Sequence, residues 1–486
     1  MRSDSGKDRS RARRSGRWDA RCARGAVALA SRRTLPPPLT PLTRTGPVPR
    51  SKSSAPRPPV SASGRRIVAL LRDYWWALSI VLLVAVSALF PVSPVRDAVT
   101  GLPLTEASLR LPPGYVLLAP LSALLDTLTL LSLRQHVALL VTLLLIFLAW
   151  WALRGHVVPE GLSGRRRLVR RGARVALALV GLLAAYACAI LLPRPMAALE
   201  VDTNIVTVDF HAHTRYSHDG RWNWSPEDVR AWHRDAGYAV AYISDHRTFE
   251  GARDGWANNP ALAGEGTSLL PAIEVVWKGE HVNVLDADRV YQGLFTSTLR
   301  DVDEDALRLA SGIPGREPVV IETLPGDLAK MIPARGTGTA GVRAIELIDG
   351  APKGLGQTRR ERARIIHLAD SLNLTLVSGS DSHGWGHVAQ GWTLFSIENW
   401  RAASPEALDD ALSRAIRGAG FGATRVVERW IPDTDTGVAL PLTVPLVLWG
   451  MLRTLSAGER VLWLMWTLVA VALFRLRQQR RAALLG

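Results

Sequence analysis

Cysteine is nearly absent from this 486-residue chain, which has only Cys22 and Cys188. That excludes a disulfide framework and a zinc site built on thiolates, and it leaves the redox compartment unread. Acidic residues are also scarce, with 43 Asp and Glu against 59 Lys and Arg, a net charge of +16. The imbalance is local. Residues 1–66 hold 17 basic and 3 acidic side chains, so the remainder is close to neutral. A basic tail accounts for the total without a nucleic-acid footprint over the folded part. The same segment lacks apolar periodicity, is rich in Arg, Ser and Pro, and contains Pro36-Pro37-Pro38. Such a composition cannot bury enough surface to offset the entropy of ordering, so 1–66 is expected to be a disordered tail. A compact secretory signal peptide is missing, because the first long apolar run begins near Tyr74. That run is expected to act as its own insertion signal.

Long apolar runs are plentiful. Residues 74–95 are 22 uncharged residues, about 33 Å as a helix and enough to cross a bilayer, with Tyr74, Trp75 and Trp76 at an interface. Runs at 137–153 and 175–193 follow within the region 67–200. Residues 111–133 are apolar but carry Pro112, Pro113, Pro120 and Asp126, which suits an interfacial or re-entrant segment as well as a span. In the C-terminal region 431–486, residues 436–452 and 461–474 are apolar again, and Arg475, Arg477, Arg480 and Arg481 come after them. The expectation is a multi-pass integral membrane protein embedded in the lipid bilayer.

Basic residues in short loops mark the cytoplasmic side. Residues 154–174 hold seven Arg and one Glu, and the N-terminal tail is basic. Two crossings between them put both inside, and the span from Val175 then delivers the following region outside the cytoplasm. The C-terminal Arg cluster asks for an odd number of later crossings, yet two apolar runs lie there. Span count and charge pattern conflict at that point.

From 201 to 430 the pattern changes to short β-rich runs alternating with helical stretches, the mark of an α/β fold with parallel strands. Strands are expected at 206–210, 240–244, 270–276, 281–285, 319–322, 344–348 and 374–378. Ser225-Pro226 and Ser404-Pro405 should start helices, with Ser as cap and Pro in the first turn. Some seven such units suggest a barrel.

Histidine accounts for 11 residues, yet His211, His213 and His218 fall within eight positions after the first expected strand. Asp245 and His246 follow the second, Glu274 lies in the third, His281 starts the fourth, and Asp381 with His383 follow the last. Strand ends that converge on one barrel face would gather these groups into one site. Imidazole and carboxylate together suit divalent transition metals. Residues two apart on an extended segment point the same way, so His211 with His213, or Asp381 with His383, could chelate one ion. Glu274 could bridge two ions, and a bridged pair can acidify a shared water.

At these residues the sequence resembles the polymerase and histidinol phosphatase (PHP) superfamily of metal-dependent phosphoesterases. The resemblance rests on Asp209-Phe210-His211-Ala212-His213-Thr214, on Ser217-His218-Asp219-Gly220 and on Tyr242-Ile243-Ser244-Asp245-His246. It continues through Pro271-Ala272-Ile273-Glu274, His281 and Gly379-Ser380-Asp381-Ser382-His383, and covers about 230 residues. It implies a distorted seven-stranded (β/α) barrel with two or three divalent ions of zinc, manganese or iron. It further implies that His211, His213, Glu274 and Asp381 hold one ion, Glu274 and His281 a second, and Asp219, His246 and His383 a third. Asp209 and Asp245 would sit behind these ligands and orient neighbouring imidazoles, and His218 would be an additional loop histidine. One position departs from the family pattern: Leu324 stands where another His is usual, so the second ion lacks a partner unless Glu322 or water substitutes.

The implied activity is a membrane-anchored phosphoesterase that cleaves a phosphate mono- or diester with a metal-activated water. The phosphorylated substrate could be a small molecule, a phospholipid headgroup or a nucleic acid. Arg215 could add a phosphate contact, and Trp222, Trp224 and Trp277 could wall a groove. The alternative is a non-catalytic metal-binding membrane sensor or scaffold. The sequence names no protein partner.

Overall fold

A computed structural model describes residues 62–485 except 155–163, 286–291, 312, 314–316, 327–341 and 435–436. The tail expected over 1–66 lies outside the described residues up to 61. Its last five positions belong instead to a helix, α1, Ala62–Ser87.

The chain after α1 enters a sheet. Pro91 and Pro94 cannot extend a helix, and β1 (Val95–Asp97) pairs antiparallel with a late strand, Val95 opposite Arg429. The span expected through Val95 therefore ends as helix at Ser87. Next come β2 (Ala107–Arg110), α2 (Pro113–Leu117), α3 (Ala119–Thr129), α4 (Leu133–Arg154), α5 (Gly164–Leu191) and β3 (Ala198–Val201), with β2 and β3 paired antiparallel. The undecided run 111–133 is thus two short helices broken before Ala119, neither long enough to cross.

Seven strands follow where they were expected: β4 Ile205–Ala212, β5 Val240–Ile243, β6 Ser268–Trp277, β7 Glu280–Leu285, β8 Val320–Glu322, β9 Val342–Asp349 and β10 Thr375–Gly379. Two more, β11 (Gly391–Ser396) and β12 (Arg425–Arg429), complete the sheet. Helices between them are α6 Pro226–Ala236, α7 Glu250–Ala257, α8 Glu304–Ser311, α9 Pro352–Leu355, α10 Arg359–Leu372 and α11 Pro405–Ala419. Ser225 and Ser404 cap α6 and α11, accepting from Asp228 N and Ala407 N, each contact contributing about 1 kcal/mol.

The sheet has ten strands in the order β1-β12-β11-β4-β5-β6-β7-β8-β9-β10. The expected count of seven is corrected to ten, because β11, β12 and β1 add antiparallel strands to the β4 edge. Nor is the sheet all parallel, since β7 runs against both β6 and β8. The other edge curls back. A parallel bridge joins Ala212 to Ser382, so the end of β10 meets the end of β4. Strands such as β4 and β5 are buried on both faces, which explains their near-continuous apolar runs.

After β12 come α12 (Thr443–Thr454) and α13 (Ala457–Leu485). The run expected at 436–452 forms a 3-10 helix, Gly437–Leu442, that leads directly into α12, an apolar helix shorter than the three candidate spans. Leu133–Trp150, Gly172–Leu191 and Ala457–Leu484 are long and apolar enough to span a membrane. Helices α4 and α5 pack antiparallel, with His136 Nδ1 2.9 Å from Tyr186 Oη near one end and Arg174 over the Trp150 ring near the other. Likewise α1 and α13 are antiparallel, the Tyr74 ring lying against Phe474 while Arg475 Nε donates to Tyr74 Oη.

Candidate metal centre

Alternation along β4 turns Phe210 into an apolar layer, stacked on Tyr242, and sends Asp209, His211 and His213 the other way. The segment after β10 closes over this polar edge. Asp381 N donates to His211 O at 2.8 Å, and His213 N donates to Ser382 O at 3.0 Å. Gly379 makes this approach possible, because a Cβ there would collide with Glu346 Oε1 and the His211 Cβ. Asp381 itself has φ of +44°, a left-handed conformation that costs about 1–2 kcal/mol in a residue with a side chain. Strain of this kind at a side chain aimed into a polar cluster is typical of functional positions.

Glu274 stands at the centre. Its Oε2 lies 2.9 Å from His211 Nε2, 3.2 Å from His213 Nε2 and 3.3 Å from His246 Nε2, while Oε1 lies 2.6 Å from His281 Nδ1. Asp381 Oδ1 is 3.1 Å from His213 Nε2 and 3.4 Å from His211 Nε2. Asp219 Oδ2 sits 3.4 Å from His383 Nε2 and 3.5 Å from His246 Nε2. All eight residues expected as ligands are brought together, in overlapping groups: His211, His213, Glu274 and Asp381; His213, Asp219 and His383; His246, Glu274 and His281. A further group, His218 with Asp219 and His246, brings in the histidine expected to be additional. The antiparallel register puts His281 in reach, since it faces Val276, two residues beyond Glu274.

The donor set fits a cation. Nε2 of His211 and Nε2 of His213 point at one another across 3.1 Å, and Asp381 Oδ1 is buried beside them with no hydrogen-bond partner of its own. Imidazole nitrogens and carboxylate oxygens that converge this closely in a buried site suit a bound cation, which would take the place of the protons they otherwise hold.

Electrostatics agree. Burial pulls the His213 imidazole down, but Asp381 and Glu274 outweigh it and raise it to about 10. His211 is raised well above its ordinary value against the same burial, by Asp381, Glu346 and Glu274. Glu274 and Asp381 are held low by those imidazoles despite burial. His246 behaves differently: burial takes it down to about 4, leaving a neutral imidazole with a free lone pair at neutral pH.

Support comes from partly unexpected groups. Glu346, inside the apolar strand β9, places Oε1 2.9 Å from His211 Nδ1 and takes Leu324 N on Oε2 at 3.0 Å. A lone carboxylate within Ala344-Ile345-Glu346-Leu347-Ile348 was the available signal. Asp209 and Asp245 were expected to orient neighbouring imidazoles; Asp209 meets the ring of His233, outside the cluster, and Asp245 holds Thr214. Asp209 Oδ1 accepts from His211 N and Ser380 N, and its Oδ2 meets His233 Nε2 at 2.6 Å, so it fastens the two backbones at the closure. Asp245 receives the Thr214 amide and hydroxyl, each at 2.6 Å. Both carboxylates are fully buried, with their oxygens committed to these partners.

Leu324 is buried in the apolar core, and Glu322 belongs to none of the groups above. Arg215 is exposed and lies over the Tyr216 ring. Of the expected groove tryptophans, Trp277 is a core residue, Trp224 packs half-buried against Gly384, and only Trp222 is open, 84% exposed.

No family model matches this sequence, and no curated protein matches it. Among solved structures it is similar to PsfC from Pseudomonas syringae, at 16% identity and TM-score 0.32 over 52% of this chain and 98% of that one. It is also similar to the lesion-specific endonuclease PfuEndoQ from Pyrococcus furiosus, at 14% and 0.33 over 46% and 57%. A two-domain protein from Bacteroides vulgatus containing a predicted PHP-like metal-dependent phosphoesterase gives 15% and 0.27 over 42% and 63%. Likenesses this remote leave the chemistry to the residues themselves.

Proposed function

We propose that this chain is a membrane-embedded, metal-dependent phosphoesterase of the PHP type, with its catalytic face outside the cytoplasm. The observation that carries this is Glu274, both of whose carboxylate oxygens are ringed by imidazoles, His211, His213 and His246 on one and His281 on the other. His211, His213, Glu274 and Asp381 would hold one ion, His281 and Glu274 a second, and Asp219 with His383 a third. His246 lies between the second and third positions and supplies the imidazole that Leu324 cannot. Divalent zinc, manganese or iron bound there would supply Lewis acidity toward a phosphoryl oxygen and acidify a water. Around it, Glu346 fixes the His211 ring, and Asp209 fixes the two loops that present His211 and Asp381. Those contacts keep the ligand atoms in place before substrate arrives.

The sidedness follows from charge. Helices α4 and α5 meet the sheet through Gln135, which donates to Pro432 O, and through Ile190, which accepts from Gly386 N. Arg154 and Arg165 to Arg174 lie at the far ends of this pair, and Arg475 to Arg481 at the far end of α13. With α13 the candidate span after the sheet, one crossing follows it, and the Arg pattern is consistent with all basic ends inside.

The purified full chain, stripped of divalent metal and then reloaded, is to be assayed with bis(p-nitrophenyl) phosphate and p-nitrophenyl phosphate. Metal-dependent turnover that Glu274→Gln abolishes is expected. Turnover of neither ester, with metal still bound stoichiometrically, would replace this reading with a metal-binding sensor.

A further inference from the structure

A cavity of about 440 Å³ opens beside the metal centre. Asp219, Asp381 and His383 line it, and so do Thr129 and Leu130, at the end of α3. Leu130 is three residues before α4, a helix apolar enough to span a bilayer. The loop that carries Asp381 and His383 is bonded to the other spanning helix of that pair, since Gly386 N donates to Ile190 O at 3.0 Å. A buried ion pair locks the same corner: Arg194, just past α5, meets Asp126 of α3 at 3.1 Å and donates to Ala189 O. The ligand loop therefore stands at the ends of α4 and α5 that adjoin the sheet, and its height above a bilayer is set by those helices.

Helix α3, whose end lines this opening, presents an apolar outer face. Leu117, Leu118, Leu121 and Leu124 of the α2 and α3 region are exposed although Ala123, Leu125 and Asp126 on the same helix are buried. An outer row of leucines on a helix packed beside candidate spanning helices suits contact with bilayer lipid. On the ligand side Trp385 is 52% exposed, with the Arg221 guanidinium 5.1 Å over its ring. An indole half in solvent beside a cation suits the headgroup layer, where an apolar body and a charged neighbour are both satisfied. Lys353 lines the same cavity and adds positive charge for an anionic ester.

We infer that the substrate is the phosphorylated headgroup of a membrane-anchored amphiphile, entering the cavity from the bilayer between the α3 end and the Trp385 loop while its apolar part stays in the membrane. This rests on the phosphoesterase reading above. A lipid-borne ester and a free one present the same phosphate to the same ligands, and the bilayer adds local concentration and orientation.

The test uses the full chain, metal-loaded, in nanodiscs of phosphatidylcholine. Phosphatidate and phosphatidylglycerol are supplied with dioleoyl chains in the disc or as soluble dibutanoyl forms in the buffer, at equal bulk concentration. For the ester that is cleaved, turnover per unit substrate is expected to be about tenfold or more higher in the embedded form, because a shared bilayer raises effective concentration. Trp385→Ala is expected to raise KM for the embedded ester several-fold with kcat little changed. Equal rates for the two forms, or a preference for the soluble one, overturn the inference while leaving a phosphoesterase. Hydrolysis of bis(p-nitrophenyl) phosphate with no hydrolysis of either lipid form also overturns it. Hydrolysis of nothing at all removes the phosphoesterase reading and this inference with it.

Discussion

Glu346 Oε1 lies 2.9 Å from His211 Nδ1, and both side chains are buried. The pair fixes which face of the His211 ring meets Glu274 and Asp381. Burial raises the Glu346 carboxyl, and the His211 charge opposes that rise. Replacing a carboxylate behind a metal-bound imidazole commonly costs about 10–100-fold in metal affinity. Glu346→Gln should lose metal affinity in that range by competition with a fluorescent chelator. Unchanged affinity would separate Glu346 from the site.

Glu274 touches four imidazoles with its two oxygens, so removing its charge should disturb more than one ion. Glu274→Gln is expected to lower activity by about 10²–10³-fold or more, the scale for loss of charge stabilisation at a reacting centre. Bound metal measured by elemental analysis should fall by at least one ion per chain. Full occupancy with full activity would show that Glu274 does not bridge.

In the metal-free protein the proton held by His213 must leave when a cation binds. Because its folded value is raised to about 10, metal affinity should climb with pH from 6 to about 10, and calorimetry at pH 7 should report proton release that depends on the buffer. Linkage runs the other way for folding. A raised imidazole stabilises the metal-free fold fully below its unfolded value of about 6.5, and that contribution fades as pH rises toward about 10. Chelator-treated protein should melt at lower temperature at pH 9 than at pH 6.5, and reloading with metal should remove most of the difference.

Asp126 is a buried anion between Arg194 and Arg429, at 3.1 and 3.4 Å. Asp126→Asn leaves two buried guanidinium groups without their counter-ion, a loss of about 3–5 kcal/mol. Thermal unfolding in detergent should show a drop of many degrees, and Asp126→Glu should recover part of it. A melting temperature within a degree of the parent would argue that this corner is open to water.

Sidedness is testable by labelling. In a background with Cys22→Ser and Cys188→Ser, an impermeant maleimide applied to intact cells should modify Asp410→Cys, on the exposed surface of α11. It should modify Ser163→Cys only after permeabilisation. The reverse pattern would invert the orientation argued from the arginines.

Local patterning was enough for the parts that depend on neighbours along the chain. Seven strands were legible because apolar runs bounded by turn residues repeat from Ile205 to Gly379, and α6 and α11 because Ser-Pro pairs cap them. The histidines and carboxylates at strand ends were legible too, since parallel strands must send those ends to one side. Contacts between distant segments were not. Where the helices of 74–95 and 436–452 stop and pack depended on the pairing of Val95 with Arg429 and on the packing of Gly450 against Trp430 and Pro432. The roles of Glu346, His233 and Asp209 depended on which strand lies beside β4 when the sheet curls. Hydrophobic period and capping act over a few residues and are written in the sequence. The closure that brings Asp381 onto His211 is a choice among long-range pairings, and only the folded sheet makes it.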